Sequence, residues 1–294
     1  MLFDLAARSS GQARSRVEHG VAETSSGLRV THPGDDPAAA GLLVQSRSLE
    51  ARFTAIADAA DTASSELNVA DSAANALNND LVRARELAMQ LANPTYTAAQ
   101  RVTAAAEIDQ IFTSVVAQLN TQVGDRYLFG GNKDATAPFD SNGTYLGDAA
   151  VRMVEIGPGV FAPASVRADA AVKGIDPTTG ALTGADVTGT LTALATALRS
   201  NDVAGIRATL DPLYAGLSQV ANLRGQIGDA QNAMNTAVST NQAALTDEKV
   251  RNSKLGDADI IESTTALAQA QQALQASLAA SAQGIKFTLL NYLP

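Results

Sequence analysis

The sequence predicts a mainly α fold: a long coiled-coil helical shaft formed by both chain ends, with a small β-rich insertion domain in the middle. Three observations carry that expectation. Hydrophobic residues make up 46% of the 294, mostly Ala, Leu and Val, while aromatics are 4% and Trp is absent. Such side chains suit close helix–helix contacts better than a bulky globular core. Between Leu42 and Leu91 a heptad pattern runs for roughly seven repeats, past the three or four that mark a coiled coil. From about Gly124 to Gly184, Gly and Pro cluster and helical periodicity disappears.

The elements follow in order. Stepping by seven gives Leu42, Leu49, Ile56, Ala63, Ala70, Leu77, Ala84 and Leu91. The interleaved row is Ser46, Phe53, Ala60, Leu67, Ala74, Leu81 and Ala88, and only Ser46 breaks the seam. Asp36 suits the N-cap and Pro37 the first helical position, where a missing N–H costs nothing. Asn93-Pro94 ends the helix, since a residue before Pro avoids the helical region. At 1.5 Å per residue the helix spans roughly 75 Å. A second helix from about Thr97 to Val123 places Ala98, Ala105, Phe112 and Leu119 in one row, with Ile108 and Val115 between. The short turn between them makes an antiparallel hairpin.

Val151 to Ile156 is a strand-like run, which Gly157-Pro158-Gly159 turns towards Val160-Phe161 and on to Val166-Arg167. Leu191, Leu194, Ala195 and Leu198 mark a short helix. A longer one carries Ile206, Leu213, Val220, Ile227 and Met234 at sevenfold spacing. Gly256 and the stretch from Asp257 to Glu262 interrupt it, and Asp259 with Glu262 resembles a capping box that restarts a helix. The last segment sets Ile260, Leu267 and Leu274 in one row and Leu278, Ile285 and Tyr292 in another. Its polar face is Gln, Ser and Thr with almost no charge, which suits burial between neighbouring subunits. Leu267, Leu274, Leu278, Ile285, Leu289 and Tyr292 are therefore the expected seam residues between subunits.

The same composition argues against several functions. A net charge of −9 and a pI near 4.7 repel a phosphate backbone, so no nucleic-acid partner is expected. No apolar run approaches the roughly 18–20 residues that span a bilayer. Met1 to Gly11 lacks the apolar core of a cleaved signal peptide, which leaves cytosolic residence or a leaderless export route as the expectation. Cys is absent. His19 and His32 have no ligand-spaced cluster around them, and no metal or cofactor is expected. Asp35-Asp36 and Asp257/Asp259 sit where helices begin and read as caps. Asp140-Ser-Asn-Gly143 lacks the spacing of a calcium loop and reads as an Asx turn. Asn142-Gly-Thr144 is a glycosylation sequon. No phosphate-binding or dinucleotide fingerprint follows a strand, so the chain is not expected to be an enzyme. A cytoplasmic signalling coiled coil also fits Ala-rich heptads, but it does not explain a central β insertion.

Several segments resemble the flagellin family. Thr24-Ser-Ser-Gly-Leu-Arg-Val30, followed by Asp35-Asp36-Pro-Ala-Ala-Ala40, is similar to its N-terminal signature. Arg83 to Gln90 and Ala106 to Gln110 look like its shaft helices, and Ile260 to Pro294 like its C-terminal helix. Tyr127-Leu-Phe-Gly-Gly131 with Pro138-Phe139, Arg224-Gly-Gln-Ile-Gly228 and the tail Leu289-Leu-Asn-Tyr-Leu-Pro294 resemble the hook-associated branch at the hook–filament junction. Met1 to Leu5 is less polar than the family's usual start.

The resemblance implies an axial protein, exported by the flagellar type III apparatus, that joins hook to filament. It implies residues 1–34 and 257–294 as inner-tube helices, 35–128 and 185–256 as the two halves of the shaft, and 129–184 as a β-rich outer domain. The implied partners are a hook-side junction protein, flagellin, copies of itself in a ring and an export chaperone. Filament flagellin is the alternative within the family. The surface that an innate immune receptor recognises on flagellins would fall on Arg83, Leu87 and Glu107.

Overall fold

A computed structural model describes the backbone of residues 2–176 and 179–290, and the side chains of 7–176 and 179–283. Its helices are α1 (Leu2–Ser26), α2 (Pro37–Leu91), α3 (Ala98–Leu119), α4 (Ala168–Lys173), α5 (Val187–Arg199), α6 (Val203–Ala208), α7 (Leu210–Gly256) and α8 (Ile260–Leu290). Two antiparallel two-stranded sheets join β1 (Gln122–Val123) to β2 (Arg126–Tyr127) and β3 (Met153–Gly157) to β4 (Val160–Pro163). The fold is mainly α. The chain divides into two compact units, one of Met1–Phe53 with Ala243–Pro294 and the other of Thr54–Gln242.

In the larger unit the heptad rows become the core. Ala60, Ala63, Leu67, Ala70, Ala74, Leu77, Leu81, Ala84, Ala88 and Leu91 are all buried. Leu213, Val220, Ile227 and Met234 of α7 join the same cluster, as do Ile108, Val115 and Leu119 of α3. Alternating Ala with Leu lets the helices approach closely while the larger side chains fill the gaps. Polar pairs fix the register. Ser64 Oγ donates to Asn235 Oδ1 at 3.1 Å, and Gln231 Nε2 to Asn68 Oδ1 at 3.0 Å. Arg224 grips Asp71 through two bonds of 2.9 and 3.2 Å. Partner numbers fall as those of α2 rise, so within this unit α2 and α7 run antiparallel.

The helix ends follow local chemistry. Pro37 opens α2, and Asp36 Oδ1 accepts from the Ala39 amide at 3.0 Å. Thr97 caps α3 through a reciprocal box, its Oγ1 accepting from Gln100 N at 3.3 Å while Gln100 Oε1 accepts from Thr97 N at 2.9 Å. Four details depart from expectation. Leu42 is 52% exposed whereas Leu43 is 4% exposed. A straight helix drifts about 20° per heptad against a 3.5-residue repeat, so by its N-terminal end the buried stripe has moved to Ala39, Leu43 and Ser46. Ala98 is exposed and Phe112 half-buried, while Arg101 is buried in the α3 core row. Ile206 belongs to the separate helix α6, because α6 ends at the cap Thr209 before α7 begins. The Gly/Pro-rich stretch contains α4 as well as strands.

β3 and β4 form the expected hairpin across Gly157–Val160, and β4 ends at Pro163, short of Val166. Asn241 of α7 donates Nδ2 to the Ile156 carbonyl at 2.9 Å, which docks the hairpin on that helix. Glu66 of α2, whose side chain is 9% exposed, receives Arg126 Nη1 at 3.2 Å and also Arg152. Burial pushes the Glu66 carboxyl above its ordinary range, against the pull of Arg126. Asp140 Oδ1 accepts from the amides of Asn142 (2.9 Å) and Thr144 (2.7 Å), the Asx turn expected there.

Arg101 closes the C-terminal end of α2. Its guanidinium donates to the carbonyls of Leu91 at 3.0 Å and Asn93 at 2.8 Å, and to Asn201 Oδ1. Asn201 sits at φ 55, a left-handed conformation that Asn tolerates better than most residues. Arg101→Met keeps the apolar stem but strands these acceptors, so it should cost about 1–3 kcal/mol. The urea unfolding midpoint should fall with an unchanged m value.

Candidate functional site

The smaller unit brings the two chain ends together. At the end of α1, Gly27 adopts φ +69, and its amide bonds back to the Glu23 carbonyl at 2.9 Å. That left-handed residue is what the Thr24-Ser-Ser-Gly27 motif supplies. Leu28 then bridges antiparallel to Asp257. Arg29 N donates to Gly256 O at 2.7 Å and Ala258 N to Gly27 O at 2.9 Å. Asp259 restarts the chain as α8, its Oδ1 accepting from the amides of Ile261 (2.8 Å) and Glu262 (3.2 Å). Among the described residues Glu262 returns no bond, so the cap is Asp259 alone rather than a box.

From this junction α1 and α8 pack along each other. Gly20 sits against Leu267, where a Cβ would lie 3.3 Å from Leu267 Cδ1. Ala13, Ser263 and Ala270 are buried, and Leu267 and Leu274 are half-buried. Leu278 remains 55% exposed, Ile260 64% and Ile261 79%. Ile285 and Leu289 lie on the α8 backbone, with side chains outside the described set, and Tyr292 lies outside the described residues. The only charges in the α8 sequence are Glu262 and Lys286.

The acidic pairs divide their work. The Ala39 amide and the Arg29 guanidinium hold the Asp36 carboxyl below its ordinary range. Asp35 does not cap the helix. Its Oδ2 accepts from the amides of His32 (2.8 Å) and Thr31 (3.0 Å), bracing the preceding loop. Asp257 likewise closes α7 by accepting from Ser253 Oγ at 2.6 Å. Among the described residues no group of three or more His, Cys, Asp or Glu is placed to hold a metal ion. No helix among them is long and apolar enough to cross a membrane.

Arg83 and Glu107 meet on the surface of the larger unit, Nε to Oε1, at 2.7 Å. That contact raises the Arg83 guanidinium above its ordinary value. Leu87 is not beside them on the surface. It is 5% exposed and belongs to the core, so a receptor could reach only the charged pair.

The Tyr127–Gly131 motif is a packing device. Leu128, Phe129 and Phe139 are buried, and the Tyr145 ring tilts at 54° to Phe139 with centroids 5.2 Å apart. Gly131 has φ +73, and a Cβ there would lie 2.0 Å from Asp148 Oδ1. Nearby, Asp186 caps α5 by accepting from Gly189 N at 2.9 Å, and it pairs with Lys173 Nζ at 3.1 Å. Thr188 Oγ1 donates to the same carboxylate at 2.9 Å. Burial works against the charged Asp186 carboxyl, but these three donors outweigh it and hold it below the ordinary carboxylate range.

Comparison with known proteins fits this architecture. Residues 4–134 match the model of the bacterial flagellin N-terminal helical region, from α1 through β2 to the Asp134 loop. The first part of the chain is therefore similar to that region of flagellins. Flagellar hook-associated protein 3 of Salmonella typhimurium is 27% identical over 274 residues, covering 87% of this chain and 86% of the relative. Flagellin FlaB1 of Treponema pallidum is 32% identical over 113 residues, covering 37% of this chain and 38% of the relative. A solved flagellar hook-associated protein from Vibrio parahaemolyticus shares the fold, with a TM-score of 0.67 at 18% identity. It matches over 76% of this chain and 100% of its own. The flagellin-family resemblance read from the sequence, with its hook-associated leaning, thus stands.

The Asp186 cluster gives a pH dependence. Because the folded carboxyl titrates below the unfolded one, its stabilisation is present above the ordinary value of 3.8 and is lost as pH falls through the folded value. The unfolding midpoint should decline as pH falls from 3.8 through the folded value, and Asp186→Asn should flatten part of that decline while lowering the midpoint at neutral pH. An unchanged pH profile in that variant would remove Asp186 from the account.

Proposed function

We propose that this chain is a structural axial protein of the bacterial flagellum that joins hook to filament and seeds filament assembly. The observation that carries the reading is the pairing of α1 with α8. It joins both chain ends in a helical pair whose α8 member is almost uncharged and keeps Ile260, Ile261 and Leu278 exposed. Such a face costs free energy in water and becomes favourable when neighbours cover it. The likeness to hook-associated protein 3, which extends over most of both chains, supports the junction role over filament flagellin. The flagellin match covers a smaller share of the chain. A signalling coiled coil gains no support from these relatives.

In this reading residues 1–34 and 257–294 supply the inner tube. Residues 35–128 and 185–256 form a coiled-coil shaft, and 129–184 face outwards as the inserted domain. Leu267, Leu274 and Leu278, with Ile285, Leu289 and Tyr292, lie along the subunit seams. Copies of the chain form a ring between a hook-side junction protein and flagellin, after delivery to the cell exterior with an export chaperone. The work is geometric, adapting one helical lattice to another, and requires no reaction chemistry.

Two measurements test it. A deletion strain should build complete hooks and shed flagellin monomers into the medium, and normal filaments in that strain would sink the junction role. Leu278→Asp changes an exposed side chain, so the purified chain should keep its unfolding midpoint. The same variant should fail to restore filaments in the deletion strain. Full restoration would take Leu278 out of the subunit seam.

A further inference from the structure

The polar break at Ser46 has a specific partner. Within the smaller unit, Ser46 is 2% exposed and donates its hydroxyl to Glu248 Oε2, a residue itself 8% exposed. One helical turn on, Asn252 Nδ2 donates to Glu50 Oε2 at 2.8 Å, while the buried Asn252 Oδ1 has no partner among the described residues. Among the described residues the nearest cation to Glu248 is Arg251, 3.6 Å away with a side chain 63% exposed. The contrast with Glu66 is direct. That carboxylate is comparably buried, but two guanidiniums meet it.

Little apolar packing compensates. Among the described residues the hydrophobic cluster of this unit is Val30, Ala39 and Leu43, with Ala40 and Leu255 packed against it. Gly256 admits Leu43 so closely that a Cβ would lie 3.2 Å from Leu43 Cδ2. A buried carboxylate satisfied mainly by a neutral hydroxyl repays little of its desolvation. A polar residue at a single seam position likewise fixes register at a cost in stability.

We propose that the Ser46–Glu248 layer is a built-in weak point, at which the 37–53 stretch of α2 and the 243–256 stretch of α7 separate while the larger unit stays folded. The layer specifies which residues meet and limits how tightly they hold. This goes beyond the flagellar reading and does not depend on it.

Hydrogen–deuterium exchange of the full chain, resolved by peptide, tests the idea. In the native chain, peptides within 37–53 and 243–256 should exchange at least tenfold faster than those within 60–91 and 210–237. Ser46→Ala combined with Glu248→Leu should slow exchange in the first pair of segments tenfold or more and leave the second pair unchanged. Glu248→Gln, which keeps an acceptor for Ser46 and removes the buried charge, should slow it severalfold. Equal protection of the two regions in the native chain would overturn the proposal. So would unchanged or faster exchange at 37–53 and 243–256 in both variants.

Discussion

Packing of small apolar side chains along α2 is the constraint on which the larger unit depends. Alanines at 60, 63, 70, 74, 84 and 88 are all buried, and each leaves room for a facing helix to approach. Leu67, Leu77 and Leu81 then fill the gaps against Val220, Ile227 and Met234. Each buried leucine contributes roughly 2 kcal/mol. Alanine contributes less by burial and acts mainly through geometry, because it sets how near the helices come. A seam this smooth could slide, and the Ser64–Asn235, Asn68–Gln231 and Asp71–Arg224 pairs prevent that by giving one register matched hydrogen bonds.

Much of this was legible because it is periodic. A helix that buries one stripe repeats its apolar residues, and Pro37, Asn93-Pro94 and Gly256 mark ends through backbone rules that need no tertiary information. The β3–β4 hairpin was legible for the same reason, since Gly157-Pro158-Gly159 leaves few alternatives. What stayed hidden depends on partners far away in sequence. Arg101 is buried because the carbonyls of Leu91 and Asn93 and the side chain of Asn201 surround it. Glu66 sits in the seam because Arg126 and Arg152 reach it. Leu42 was misplaced by assuming a constant heptad phase along a straight helix.

The candidate site was legible to a different degree. The apolar spacing in α8 marked Leu267 and Leu274 as seam residues between subunits; in the chain both are half-buried, and Leu267 lies against Gly20 of α1. Spacing alone could not tell that partner from a neighbouring subunit, because both would select the same residues. Leu87 shows the reverse limit. A motif-based surface included it, yet its heptad position faces the core, and only Arg83 and Glu107 meet solvent.

Both units leave some buried polar atoms unmet, but they pair their buried carboxylates differently. In the larger unit Glu66 is met by guanidinium groups and the Asp71–Arg224 pair lies partly in solvent, although Asp80 Oδ2 and Arg85 Nε are buried without a hydrogen-bond partner. In the smaller unit Glu248 leans on a serine and Asn252 leaves an acceptor unmet. The α8 helix meanwhile keeps isoleucines exposed. A unit built only for stability as a monomer would carry charge on those positions and leucine at the seam. Leaving both unfilled keeps the folded monomer of this unit shallow in free energy.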